Sequence, residues 1–235
     1  LGAPLNESKD ERVGVYLTNA LTGWKPPKEP KTLLLFPEMA EERDAADRIK
    51  RRDSILVILG NPPYDGFAGV AVTAEERALS DAYRATRLAP PPQGQGLNDL
   101  YVRFFRMAER RIVEMNQPQK GIICFISNYS WLDGLSFTGM RERYLEVFER
   151  IAIDNLNGDK YKTGKLTPEG DFDPSAFSTE YNREGIQVGT AVTLLVKNGV
   201  PLAGAAPRSI RFRHFWGKNK RADLLADNAP YQELI

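Results

Sequence analysis

The chain has 235 residues, of which 42% are hydrophobic, 10% aromatic and 27% charged, the balance of a soluble globular protein with one large α/β domain. Its 32 Lys and Arg offset 31 Asp and Glu, so the net charge of +1 gives no global pull toward nucleic acid or anionic membrane, and any basic surface must be local. Cys124 is the single cysteine and His214 the single histidine, which excludes an internal disulfide, argues against zinc and fits a reducing, cytoplasmic setting. No apolar run reaches the roughly 20 residues that span a bilayer, and the N-terminus lacks the pattern of a signal peptide. The first residue is Leu1 rather than Met, which suggests a piece of a longer protein.

Val13 to Leu17 is the first extended candidate, and it runs into a loop rich in proline (Pro26, Pro27, Pro30). From Pro37 to Asp53 the charges alternate over good helix formers, with only Met39, Ala46 and Ile49 as a thin apolar stripe, so the spacing predicts a solvated helix. Ser54 to Leu59, SILVIL, is an uninterrupted apolar run and predicts a strand buried on both faces. It stops at Gly60, and Asp65 to Gly96 then reads as a long surface loop around one helical stretch, Ala74 to Arg87. Asn98 is a candidate cap for a helix carrying Tyr101, Phe104, Phe105, Ala108, Ile112 and Met115 at helical spacing.

Gly121 to Ser127 predicts a second buried strand, Thr138 to Phe148 a helix and Ile151 to Asn155 a third strand. Strand, helix, strand, helix, strand in that order predicts a parallel sheet with right-handed crossovers. Gly158 to Gly185 is polar and turn-rich, and Gln187 to Lys197 reads as another strand. A Gly/Pro/Ala linker separates it from a basic segment, Arg208 to Arg221.

Asn61-Pro62-Pro63-Tyr64 follows SILVIL directly, at the carboxyl end of a strand where open α/β sheets place ligands. Two consecutive prolines fix the backbone and remove two N–H donors, so the turn offers carbonyl oxygens that only accept. Asn61 adds a side-chain carbonyl and Tyr64 a flat face. The set suits a planar ring with an exocyclic amine, the amine held by two acceptors and the ring stacked on the aromatic. Such an amine is a poor nucleophile because its lone pair is delocalised, and two acceptors favour a pyramidal nitrogen that can take a methyl group in line, without a metal. A base inside a duplex must be flipped out to be reached. A merely rigid turn is the alternative.

LVILGNPPYDGFAG resembles motif IV of the gamma-class methyltransferases that modify the N6 of adenine in DNA, with Asn61, Pro62, Pro63 and Tyr64 on the catalytic tetrad. GIICFISNYSWLDG, MRERYL, IDNLNGDKYKTGK and IQVGTAVTLLVK match further segments in order, from about Val13 to Lys197. Together they resemble most the methyltransferase part of single-polypeptide type ISP restriction-modification enzymes. The resemblance implies a Rossmann-like fold, S-adenosylmethionine as methyl donor, double-stranded DNA as substrate, and a longer polypeptide supplying a target-recognition domain with nuclease or helicase parts. It implies residues 1–200 as the catalytic part and 201–235 as a linker and the start of a following region. Asn61, and Asn19 in YLTNAL, fall where cofactor contacts are expected, Asn19 standing where Asp is more usual. The family's glycine-rich cofactor loop after its first strand and the acidic residue after its second strand are not visible in this sequence.

Ser127 to Trp131 reads either as a wall of the base pocket or as a polar strand-end turn. Arg208, Arg211, Arg213, Lys218, Lys220 and Arg221 interleave with Phe212, Phe215 and Trp216, which reads first as an edge strand with solvated charges and next as a track for a phosphate backbone, with Arg211, Arg213 and Lys218 as candidate DNA contacts. Lys160, Lys162 and Lys165 invite the same two readings. His214 reads as structural and Cys124 as inert core. Methylation of a protein glutamine amide, and a non-catalytic fragment that binds DNA or a partner chain, are the alternative functions.

Overall fold

The computed structural model describes residues 14–25, 36–64, 71–199, 209–227 and 229–234. Val13, Pro26, Pro27 and Pro30, residues 65–70, the linker 201–207 and Arg208 lie outside them, and residues 14–17 form no strand. Two compact units divide the chain, Leu1–Asp53 and Ser54–Ile235.

In the first unit, helix α1 (Pro37–Arg51) starts on a proline, which gives up no helical hydrogen bond at that position. Ala46 is its one buried residue, as the thin apolar stripe predicts. Lys50 Nζ donates to Thr18 Oγ1 at 2.6 Å and to the Asn19 carbonyl at 2.7 Å, and Arg51 Nε donates to the Gly23 carbonyl at 2.8 Å, tying residues 18–23 to the helix.

The second unit holds a six-stranded sheet in the order β1-β2-β4-β3-β5-β6. Its strands are β1 (Val57–Gly60), β2 (Lys120–Asn128), β3 (Arg150–Asn157), β4 (Thr190–Asn198), β5 (Ser209–His214) and β6 (Gln232–Leu234). The helices between them are α2 (Ala74–Asp81), α3 (Leu100–Glu109, continued by a π-helical turn to Met115), α4 (Thr138–Val147) and α5 (Lys220–Ala226). β1 is parallel to β2 and β3 to β5, but β4 lies antiparallel between β2 and β3, so the sheet is mixed rather than parallel. The connection from β3 to β4 is irregular, and a strand entered without a crossover helix returns antiparallel to its predecessor.

SILVIL is corrected in kind. β1 is an edge strand, and Leu56, Val57 and Leu59 are 60%, 51% and 71% exposed, so among the described residues it is not buried on both faces. In β2 the burial alternates, with Ile123 and Phe125 buried while Ile122, Cys124 and Ile126 are half-buried. One sheet face therefore carries the core. Ile123, Phe125, Ile151, Ile153, Ala191 and Leu195 pack under Tyr101, Phe105, Met140 and Tyr144 of α3 and α4. Phe105 meets Phe125 edge-on at 5.0 Å and Tyr144 meets Trp131 at 5.6 Å. Gly139 lets α4 approach this layer, because a Cβ there would stand 2.0 Å from the Tyr83 carbonyl oxygen. Asn98 does not cap α3; Asp99 takes that position, and Asn98 Oδ1 accepts from Arg84 instead. α2 ends at Asp81, short of Arg87, after its Thr73 hydroxyl caps the Glu76 N–H at 3.1 Å.

Residue 200 is not a boundary of compactness, since β5 is hydrogen-bonded to β3 and α5 returns to the base of the preceding loop. Lys220 on α5 is 1% exposed; its ammonium donates to the Leu156 carbonyl at 2.6 Å and pairs with Asp173 at 2.6 Å. Asp173 is 0% exposed and also accepts the Gly158 and Gly217 N–H groups, each at 2.7 Å. Burial pulls the Lys220 ammonium below the usual lysine range, and Asp173 opposes that shift. Replacing Asp173 by Ala strands one buried charge, one buried N–H group and one half-buried N–H group, so urea denaturation of Asp173→Ala should show a loss of about 3–5 kcal/mol. A loss below about 1 kcal/mol would show that water replaces the carboxylate.

Candidate functional site

β1, β2, β3 and β5 all point the same way, so their carboxyl ends share one rim. Gly60, opposite Phe125, ends β1, and its pairing delivers Asn61 to Tyr64 beside the last residues of β2. In this turn Pro62 is buried, Tyr64 half-buried, and Asn61 and Pro63 are exposed. The Tyr64 hydroxyl lies 2.6 Å from Asn61 Oδ1 and 3.1 Å from the Ile126 carbonyl oxygen, two acceptors within reach of its one proton. Burial pushes its pKa up to about 12, so the hydroxyl is a protonated donor at neutral pH. The turn thus presents an exposed amide beside an aromatic ring, with no backbone N–H at positions 62 and 63.

Ser127 to Trp131 continues β2 on the same rim. Asn128 Oδ1 caps the Ser130 N–H at 2.8 Å, and Tyr129 and Trp131 are buried. Next to them, Gly158 to Gly189 joins β3 to β4 almost without regular structure yet is pinned from inside. Asp159, 3% exposed, accepts N–H groups of Tyr161, Lys162 and Gly189 at 2.6–2.8 Å. Of the three lysines here, Lys165 is turned inward, with its ammonium on the Glu184 carbonyl. Lys162 pairs with Asp133 at 2.7 Å and sits 4.7 Å over the Tyr129 ring, and Lys160 lies 3.7 Å from Glu184. Among them only Lys160 and Lys162 face solvent with their charge.

The basic segment does not act as one surface. Arg213, 6% exposed, is bound to Asp154 at 2.6 Å, to Asp227 and to the Ala229 carbonyl, and lies 4.0 Å over the Tyr231 ring. These acids hold its guanidinium above the usual arginine range. Arg213, expected from the sequence among the DNA contacts, thus has its charge already engaged within the fold. Lys220 is likewise buried, and Arg221 donates to carbonyls of Ala176 and Ser178. Arg211 is exposed, 3.4 Å from Glu233, and Lys218 is exposed. β5 is not an edge strand, because β6 pairs with it on the outer side.

His214 stacks on Trp216 at 5.5 Å, and its Nδ1 faces the side-chain amides of Asn155 and Asn157 at 3.4 and 3.3 Å. It lines a mostly apolar cleft of about 540 Å³ over β3 and β5, to which none of Asn61 to Tyr64 contributes. Cys124 is half-buried, and burial raises its thiol pKa, which suits an unreactive thiol.

The described residues do not fit an S-adenosylmethionine cradle. A Cβ at Gly60 would stand 3.0 Å from the Phe125 ring, and one at Gly96 2.7 Å from Phe137, so these glycines make room for side chains of the fold rather than for a ligand. Asn19 Oδ1 accepts the Leu21 N–H at 2.9 Å within its own turn, in the first unit. No cluster of His, Cys, Asp and Glu suited to a metal occurs among the described residues, nor does a helix long and apolar enough to cross a membrane. The sequence could not reveal the Ile126 carbonyl or the buried Asp159 and Asp173, since a backbone acceptor has no residue signature and the carboxylates act through partners far along the chain.

No protein-family model and no curated protein matches the chain. Solved structures do resemble it in fold, three of them as follows. The ATP-dependent Type ISP restriction-modification enzyme LlaBIII bound to DNA matches at 22% identity and a TM-score of 0.66, over 94% of this chain and 14% of that one. A nuclease-deletion mutant of the Type ISP restriction-modification enzyme LlaGI, in complex with a DNA substrate mimic, matches at 21% and 0.63, over 84% and 18%. The DrdV–DNA complex matches at 23% and 0.59, over 83% and 18%. The chain thus spans less than a fifth of the length of these neighbours, and what it shares with them is a fold.

Proposed function

We propose that this chain is the amine-orienting half of a Rossmann-like DNA methyltransferase in a restriction-modification protein, acting on the N6 amine of a flipped-out adenine. The observation that carries the reading is the exposed Asn61 amide beside the half-buried Tyr64 ring, on a turn without backbone N–H groups at Pro62 and Pro63, at the shared carboxyl rim. The likeness to DNA-bound Type ISP enzymes supports a restriction-modification setting. S-adenosylmethionine is the proposed source of the methyl group, and the residues that hold it are proposed to lie in the rest of a longer polypeptide.

In this reading Asn61 Oδ1 and the Pro62 carbonyl accept the two amine protons, Pro63 keeps the turn rigid, and Tyr64 stacks on the base. Holding both protons favours a tetrahedral nitrogen whose lone pair is free to attack. These acceptors act most strongly when positive charge develops on that nitrogen, so they lower the barrier more than they tighten ground-state binding. Transfer of a methyl to a protein glutamine amide uses a similar acceptor pair, and the DNA-bound neighbours favour the base over it.

Two measurements test the proposal. In the full-length protein, Asn61→Ala should lower kcat for adenine methylation about 10²-fold or more while leaving the Kd for the cofactor within about threefold. Wild-type turnover in that variant would sink the assignment. Arg211→Gln and Lys218→Gln should each reduce the slope of log K against log salt for DNA binding by about one, without loss of stability. Arg213→Gln should instead destabilise the fold by about 3 kcal/mol, since it leaves Asp154 partly buried and unpaired. A salt slope untouched by Arg211 and Lys218 would remove β5 and its flank from the DNA interface.

A further inference from the structure

The Tyr64 hydroxyl carries one proton and faces two acceptors. Its 2.6 Å approach to Asn61 falls in the range of O–H···O bonds and is short for N–H···O, so the amide oxygen rather than the amide nitrogen faces it. That oxygen is the one an incoming amine requires. The second acceptor, the Ile126 carbonyl, lies one residue beyond the last β1–β2 ladder pair, Gly60 with Phe125.

We propose that the Tyr64 hydroxyl is a positioning group that exchanges acceptors, holding the Asn61 amide when no amine is present and passing to the Ile126 carbonyl when an amine proton takes Asn61 Oδ1. The inference rests on the amine-acceptor reading above and adds an internal competitor to it. A displaced hydroxyl without a partner would oppose binding, because a half-buried donor left unpaired loses the water it gave up on folding. The Ile126 carbonyl offsets part of that penalty, within hydrogen-bond reach at 3.1 Å but farther than the 2.6 Å to Asn61. The hydroxyl also keeps the amide oriented with its oxygen toward the ring before the base arrives. With its pKa raised to about 12 by burial, it remains a donor throughout. A ring without an exocyclic amine has nothing to displace it with, so the exchange acts only on amine-bearing bases.

The test uses the full-length protein and a mixed-sequence DNA duplex with a single-nucleotide bulge that is either deoxyadenosine or purine deoxyriboside, which lacks the 6-amine. Tyr64→Phe keeps the stacking face and removes the competitor. It should tighten binding of the adenine bulge about twofold to threefold, the part of one neutral hydrogen bond that the longer Ile126 contact does not recover, and leave the purine bulge unchanged. In an Asn61→Ala background the same substitution should have no selective effect. An equal change on both bulges, or the same selective gain without Asn61, overturns the exchange and leaves the amine-acceptor reading intact. A wild-type protein that binds both bulges equally, or neither, overturns that reading, and the exchange with it. Urea midpoints of the variants confirm that each is folded.

Discussion

The antiparallel insertion of β4 between β2 and β3 is the constraint on which the candidate site depends. It closes the middle of the sheet with a strand running against its neighbours and leaves β1, β2, β3 and β5 co-directional. Four carboxyl ends then fall on one rim, and each delivers a loop: the Asn61 turn, Ser127 to Trp131, the long connection from Gly158, and the turn after His214. With strands about 4.8 Å apart, the start of β4 lies roughly 10 Å from the end of β1. A ligand of nucleotide size standing on Asn61 is thus within reach of the loop base at Gly189. The chemistry proposed for the turn needs this gathering more than it needs any single rim residue.

Buried charge holds that rim in place. Asp173 ties Gly158, Gly217 and Lys220 together, and Asp159 ties the loop's first turn to Gly189 at its far end. A connection of some thirty residues without helix or strand has a large conformational entropy to overcome, and few apolar residues with which to offset it. Carboxylates accepting several backbone N–H groups at once are an effective substitute, because each satisfies donors that a strand ladder would otherwise pair. Their removal costs more than a surface ion pair would, since the partners stay buried. Arg213 works in the same way on the outer strands, where Asp154, Asp227 and the Tyr231 ring enclose it.

The elements were legible in the sequence where periodicity was unambiguous. α1, α3, α4 and strands β2, β3 and β4 lie within a few residues of their expected positions, since each carries its own apolar repeat. The order of the sheet was not legible, because the pattern of a strand states its burial and not its direction. SILVIL is a case in point: an all-apolar run suits burial on both faces, and β1 is exposed at an edge among the described residues. β6 escaped notice because three residues are too few to show a period. The basic run from Arg208 to Arg221 looked uniform in one dimension, and the partners that divide it stand far off in sequence: Asp154 is 59 residues from Arg213, and Leu156 is 64 from Lys220. The Asn61 to Tyr64 turn was legible because its four residues are contiguous.

That contiguity also leaves the turn open to any donor. Asn61, Pro62 and Pro63 offer acceptors, and water supplies donors freely at an exposed position. An acceptor already engaged by a group of the fold is held in one orientation until a ligand donor displaces that group, at some cost in affinity. Tyr64 holds Asn61 in this way and stands between two oxygens of different origin, one on a side chain three residues back and one on the backbone of the neighbouring strand. The first is local and would exist in an isolated peptide turn. The second exists only because β1 and β2 run parallel with Gly60 opposite Phe125, so the register of the sheet reaches into the chemistry of the turn. A one-residue slip of β1 would move the Ile126 carbonyl by about 3.3 Å relative to Tyr64, enough to abolish that bond while leaving the four-residue motif unaltered.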